Sequence, residues 1–253
     1  SYIIGIAKEL EDNYLLRKYS KIIQFHPSYT YEDFVRGMVA VPADNGVAYK
    51  AVDRVLAETA KEASENPAAN YVLILDEINR ANLPAVLGEL IYALEYRGKP
   101  VNSLYASEKD GNELILPKNL YIIGTMNTAD RSVGQIDYAI RRRFAFVDVL
   151  PRDLEGKLEQ GYKFKSDSFK EVAELFVEAY NATTDYTQMN VAKSEHLSEE
   201  FHPKEVWLGH SYFIHTGDFQ TKLNYEIKPL LREYVQDGIL KASAIEIIEG
   251  LKV

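Results

Sequence analysis

The sequence contains no cysteine, which excludes disulfide frameworks, thiolate-bound metals and cysteine nucleophiles. It has no apolar run approaching the length of a membrane span and no basic-then-apolar leader, so a cytoplasmic protein without membrane partners is expected. Positive charge is scarce. The 29 lysines and arginines face 38 acidic residues, for a formal net charge of −9. Nucleic-acid affinity comes mainly from Lys and Arg displacing counterions, so a broad DNA-binding face is not expected here. The 14 glycines include no phosphate loop of the form G-x-x-x-x-G-K-[S/T]. Of the Gly-Lys pairs, Gly98-Lys99 and Gly156-Lys157, neither has a glycine five positions earlier, and Pro100 and Leu158 follow where Ser or Thr belongs. What remains is 253 residues, 46% hydrophobic and 26% charged, enough for a sizeable core without metal or disulfide staples.

Four apolar runs read as buried strands: residues 21–25 (KIIQF), 71–75 (YVLIL), 120–125 (LYIIGT) and 144–150 (FAFVDVL). Continuous runs of this length suit a parallel sheet covered on both faces. Residues 49–64 and 83–96 show helical spacing of apolar positions, and the alternation of strand and helix predicts a doubly wound α/β layer. Residues 102–119 read as a hairpin or loop. Past Pro151 the pattern becomes helical, over 169–182 and 223–249, which predicts an α/β core over 1–150 and a smaller helical part over 151–253.

The sharpest local signal is YVLILDEINR, a strand that ends abruptly in Asp76-Glu77. Ligands of open α/β sheets bind beyond the carboxyl ends of the strands. There, one carboxylate of such a pair can hold Mg²⁺ while the other polarises a water; alternatively Asp76 caps the next helix and Glu77 is merely solvated. The strand at 120–125 runs into Met126-Asn127-Thr128-Ala129-Asp130-Arg131. Asn127 is placed to orient a water or touch a terminal phosphate, or else Asn127 and Asp130 build an Asx-turn. Arg141, Arg142 and Arg143 precede the run at 144–150. Three in a row cannot all face one way, so either one or two of them are anion-stabilising fingers, a task that suits the planar guanidinium, or the triplet is a solvated basic turn.

Taken together, FHPSYTYEDFVRG (25–37), LDEINRANLPAVLGELIYALE (75–95), LYIIGTMNTADRSVGQIDYAIRRRF (120–144) and LGHSYF (208–213) resemble, in order and spacing, the AAA+ NTPase domain of McrB-type proteins, the motor subunits of modification-dependent restriction systems. The resemblance implies an AAA+ parallel-sheet core followed by a helical lid. It implies that Asp76 and Glu77 form the Walker B pair, with Asp76 on the metal and Glu77 as the water-activating base, and that Asn127 is the sensor-1 residue. Asp130 and Arg131 would belong to the same signature, near nucleotide and neighbouring subunit, while Arg142 and Arg143 fall where arginine fingers lie. Arg80 could also face the interface. The implied cofactors are Mg²⁺ and GTP or ATP. The implied partners are further copies in a ring, by resemblance a hexamer, an McrC-like endonuclease, and DNA reached through a separate domain. His210 in LGHSYF reads as a structural histidine of the lid.

The family needs a phosphate loop, and the place for it is readable. Residues 14–16 look like the start of a buried strand, and only residues 17–20 separate them from the next one. Parallel neighbours need a crossover of about a dozen residues. The strand, phosphate loop and first helix are therefore expected between Leu16 and Arg17, whose neighbouring residues would flank them. Two other readings stay open: a non-hydrolysing nucleotide-binding scaffold, and a MoxR-like AAA+ remodeller of proteins.

Overall fold

The computed structural model describes residues 18–44, 46–107, 111–127, 136–184, 186–187 and 191–252. The Leu16–Arg17 junction lies outside them, as do Asp130 and Arg131. The chain divides into two compact units, Ser1–Phe146 and Val147–Val253, where the sequence suggested a boundary at residues 150–151.

In the first unit, β1 (Ser20–Gln24), β4 (Tyr71–Asp76) and β7 (Leu120–Gly124) form a parallel sheet in the order β1-β4-β7. Three of the four expected strands are these. Leu73, Leu75 and Leu120 are fully buried, as near-continuous apolar runs in a covered parallel sheet should be. The register places Gln24 beside Asp76 and Leu75 beside Gly124, so the carboxyl ends of all three strands fall at one edge.

The fourth expected strand, over 144–150, is not formed. An apolar run becomes a strand only where a neighbour supplies a hydrogen-bond ladder, and among the described residues none pairs with it. Phe146, Val147 and Val149 are left 41%, 82% and 66% exposed.

Between β1 and β4 the chain makes a short helix α1 (Tyr31–Phe34), an antiparallel hairpin of β2 (Arg36–Ala43) and β3 (Gly46–Asp53), and helix α2 (Val55–Glu65). The helix expected over 49–64 thus starts late. Residues up to Asp53 go instead to the hairpin, whose cross-strand pairs outweigh a helical period that overlapped it by chance. The single helix expected over 83–96 is two, α3 (Leu83–Leu87) and α4 (Leu90–Glu95), broken at Gly88 with φ 50°. A β-carbon at Gly88 would lie 3.3 Å from the Tyr31 ring, so the break is where the helix meets that side chain. The region expected as a hairpin or loop is β5 (Pro100–Ser107) paired with β6 (Gly111–Ile115). The short helix α5 (Tyr138–Arg141), capped by Asp137, ends in Arg141, the first of the arginine triplet, with Arg142 as its C-cap.

The second unit has its own core around Phe169, Phe176, Phe213, Leu223 and Leu231, all essentially without exposure. Its elements are the two-residue strands β8 (Lys163–Phe164) and β9 (Ile214–His215), and helices α6 (Ser166–Ala173), α7 (Pro203–Val206), α8 (Phe219–Lys222), α9 (Lys228–Gln236) and α10 (Ala244–Gly250). The helical pattern over 169–182 stops early, and Ala179 takes φ 49°. The long pattern over 223–249 is interrupted at Gly238, φ 72°, which turns the chain between α9 and α10.

Candidate functional site

The site is built where β4 and β7 end side by side. Backbone bonds continue the ladder past the strands: the Thr125 N–H donates to Leu75 O at 2.9 Å, and the Ile78 N–H donates to Thr125 O at 2.8 Å. Asp76 is the last residue of β4, and the Phe25 N–H from the β1 side donates to its carbonyl at 2.8 Å. Its carboxylate is held from the β7 side, where the Thr125 hydroxyl donates to Oδ1 at 2.8 Å. Asp76 is therefore no helix cap. Its second oxygen, Oδ2, has no hydrogen-bond partner among the described residues.

Glu77 follows in a left-handed conformation, φ 55° and ψ 43°, which an L-residue bearing a β-carbon adopts at a cost of about 1–3 kcal/mol. Its N–H points at Thr125 Oγ1 over 3.4 Å, and its Oε2 accepts from Arg80 Nε at 3.0 Å. Ile78–Arg80 then forms one 3₁₀ turn. Ile78 is buried against Gly124, where any β-carbon would come within 2.8 Å of its Cδ1. Strand β7 must end in glycine for this turn to seat. The Asn79 amide donates to Asn127 O at 3.4 Å, which brings the Asn127 segment to the same edge, while Asn79 Oδ1 is buried without a partner.

The arginines separate by environment. Arg141 lies over the Phe146 ring, 4.9 Å from its centroid. Arg143 is tied down within its own unit, its guanidinium donating to Ala139 O and to Glu95 Oε2, both at 2.6 Å. Arg142 is exposed, and its side chain has no ion pair or hydrogen bond among the described residues.

The structure thus brings together Asp76, Glu77 and Asn127 with three residues that sequence reasoning assigned no part, Thr125, Gly124 and Asn79. Only their position at strand ends could have signalled these. Asp130 and Arg131 lie outside the described residues. His210 belongs to the second unit, in the 3₁₀ turn His210–Phe213, where burial first and Arg152 next hold its imidazole below the usual range. The open cleft of about 370 Å³ lined by Tyr162, His215, Asp218, Lys222 and Glu226 contains none of the candidate residues.

A parallel sheet carrying an Asp-Glu pair at one strand end and an Asn beyond the next defines an AAA+ nucleotide-binding core, and residues 6–144 match the AAA domain family, dynein-related subfamily, to which the chain belongs. Within that family it is of McrB type. Over 238 residues it is 35% identical to the Type IV methyl-directed restriction enzyme EcoKMcrB subunit of Escherichia coli (strain K12), covering 87% of this chain and 48% of that protein. Over 188 residues it is 27% identical to the Type II restriction enzyme BsuMI component YdiS of Bacillus subtilis (strain 168), covering 57% of this chain and 55% of that one. The chain spans about half the length of these curated relatives. Among the described residues no helix is long and apolar enough to cross a membrane, and no cluster of three acidic, His or Cys side chains forms a metal cage.

Proposed function

We propose that this chain is the motor domain of a Mg²⁺-dependent nucleoside triphosphatase that works as a ring and drives a restriction endonuclease. The observation that carries the reading is the edge cluster itself: Asp76, Glu77 and the Asn127 segment converge at the carboxyl ends of adjacent parallel strands. Magnesium takes few protein carboxylates and many phosphate and water oxygens, so a lone Asp76 with an unbonded oxygen fits it better than a cage would. Held there, magnesium would neutralise charge on the phosphate oxygens. Glu77 then accepts the proton of the attacking water, Asn127 orients it, and a guanidinium stabilises the developing charge.

Of the two arginines, Arg142 suits the finger, because its head group is free to reach a neighbouring protomer while Arg143 is bracketed by Glu95 and Ala139. A finger acting on a neighbour requires a closed ring, by family resemblance a hexamer. An McrC-like endonuclease as partner, and DNA gripped by a separate domain, agree with the restriction systems named for both relatives and with the acidic charge.

The decisive experiment is steady-state turnover of GTP and ATP by the full-length protein and its Glu77→Gln variant. Loss of turnover in the variant with nucleotide binding retained is the expected outcome; equal rates remove Glu77 from the mechanism. The absence of G-x-x-x-x-G-K-[S/T] from the sequence favours a second reading, a scaffold that binds nucleotide without hydrolysis. The uninterrupted coding sequence across Leu16–Arg17 decides between them.

A further inference from the structure

We propose that Thr125 is a positioning residue for both carboxylates of the site, an inference that rests on the nucleotide-binding reading above. One hydroxyl meets the Asp76 carboxylate and the backbone amide that sets the Glu77 turn. Thr125 Oγ1 donates its hydrogen to Asp76 Oδ1 at 2.8 Å and lies 3.4 Å from the Glu77 N–H, so its lone pair faces the residue held in the left-handed conformation. The Thr125 backbone is fixed independently, by its N–H on Leu75 O and its carbonyl beneath the Ile78 N–H. The side chain therefore acts from a rigid base.

Two consequences follow. Asp76 Oδ1 is occupied, so Oδ2 is the oxygen turned to a cation, and the carboxylate cannot rotate without breaking the Thr125 bond. The turn that aims Glu77 depends on the same hydroxyl, so a change in β7, which leads to Asn127, reaches both carboxylates at once. Groups that orient a metal-binding carboxylate from behind typically change metal affinity or activity by about 10–100-fold when removed.

The test uses the full-length protein, with Thr125→Val as the variant of nearly the same shape and Thr125→Ser as the one that keeps the hydroxyl. Melting temperature is followed as Mg²⁺ is titrated into each protein with a non-hydrolysable GTP or ATP analogue. The Mg²⁺ concentration for half-maximal stabilisation should rise about 10–100-fold in Thr125→Val and return to the wild-type value in Thr125→Ser, with the Mg²⁺-free nucleotide shift alike in all three. Should Thr125→Val melt too low without nucleotide, Thr125→Ala and Thr125→Ser compared where both are folded carry the same comparison. A Thr125→Val protein with wild-type Mg²⁺ dependence overturns the inference, as does a Thr125→Ser protein as impaired as the Val variant, which would reduce the residue to packing. If the wild type itself shows no Mg²⁺-dependent stabilisation, it is the nucleotide reading that fails, and this inference falls with it.

Discussion

Arg142 and Arg143 are adjacent in sequence, yet their guanidinium groups meet different surroundings, and the difference can be measured. Arg143 makes charge-assisted bonds to Ala139 O and Glu95 Oε2, and its side chain is only 20% exposed. Hydrogen bonds to charged groups contribute about 1.5–3 kcal/mol each where they are shielded from solvent, and the half-exposed Glu95 places this case near the bottom of that range. Arg143→Ala should therefore destabilise the first unit by about 1–2 kcal/mol in denaturant titration. Arg142→Ala breaks no bond among the described residues, so its unfolding free energy should stay within about 0.5 kcal/mol of wild type. Its turnover should nevertheless fall by about 10³-fold or more, the scale on which arginine fingers act. The reverse pattern, with a stable but inactive Arg143 variant and an active Arg142 variant, would exchange the two assignments. In the sequence the triplet was legible as a basic element before an apolar run, but not its division of labour, because that depends on Glu95, 48 positions away. Thr125 was hidden for a similar reason. Threonine at a strand end is common, and only the register of β7 against β4 turns it toward Asp76.

At the scale of elements, Arg36 is the largest fully buried side chain among the described residues, and it binds two hairpins together. Its Nε donates to Asp53 Oδ1 at 2.6 Å within the β2–β3 hairpin, while one terminal nitrogen donates to Tyr105 O and Gly111 O, on the two strands of the β5–β6 hairpin. Arg36→Met, which fills similar space, strands a carboxylate and two carbonyls. It should cost about 3 kcal/mol or more, and amide hydrogen exchange should accelerate in both hairpins together. Exchange confined to β2–β3 would contradict the clamp. None of this was legible in advance. The three strands of the parallel sheet announce themselves by continuous apolar runs, whereas β2 and β3 are short of buried positions and the end of β3 overlaps a helical period. In the second unit, His210 makes the corresponding statement about pH. Its folded pKa lies below the ordinary imidazole value of 6.5, chiefly through burial. Below about pH 6.5 the unfolded chain takes up a proton that the folded one refuses, so the contribution is neutral above that pH and destabilising as pH falls toward the folded pKa. Denaturant midpoints measured from pH 7.5 to 5.5 should drop less steeply in His210→Gln than in the wild type, and parallel slopes would remove His210 from the account.

For the whole molecule, the proposed function asks for one arrangement: a motor that completes its active site with a neighbour and leaves DNA to other parts of the assembly, with which the acidic balance agrees. The charge alone excluded little. Set beside an Arg142 side chain with no partner among the described residues, it fits the proposed ring, whose subunits would exchange a guanidinium at each interface. That exchange makes a prediction that no single-chain mechanism shares. Glu77→Gln subunits keep an intact finger, and Arg142→Ala subunits keep an intact base, so each variant alone should be inactive. In an equimolar mixed ring, about a quarter of the interfaces place the finger of a Glu77→Gln subunit against the base of an Arg142→Ala subunit and regain both groups. Turnover should then reappear on mixing, rise with the time allowed for subunit exchange, and reach at most about that fraction of the wild-type rate. If Arg142 acted on the nucleotide of its own subunit, every site in the mixture would lack one group, and mixing would restore nothing.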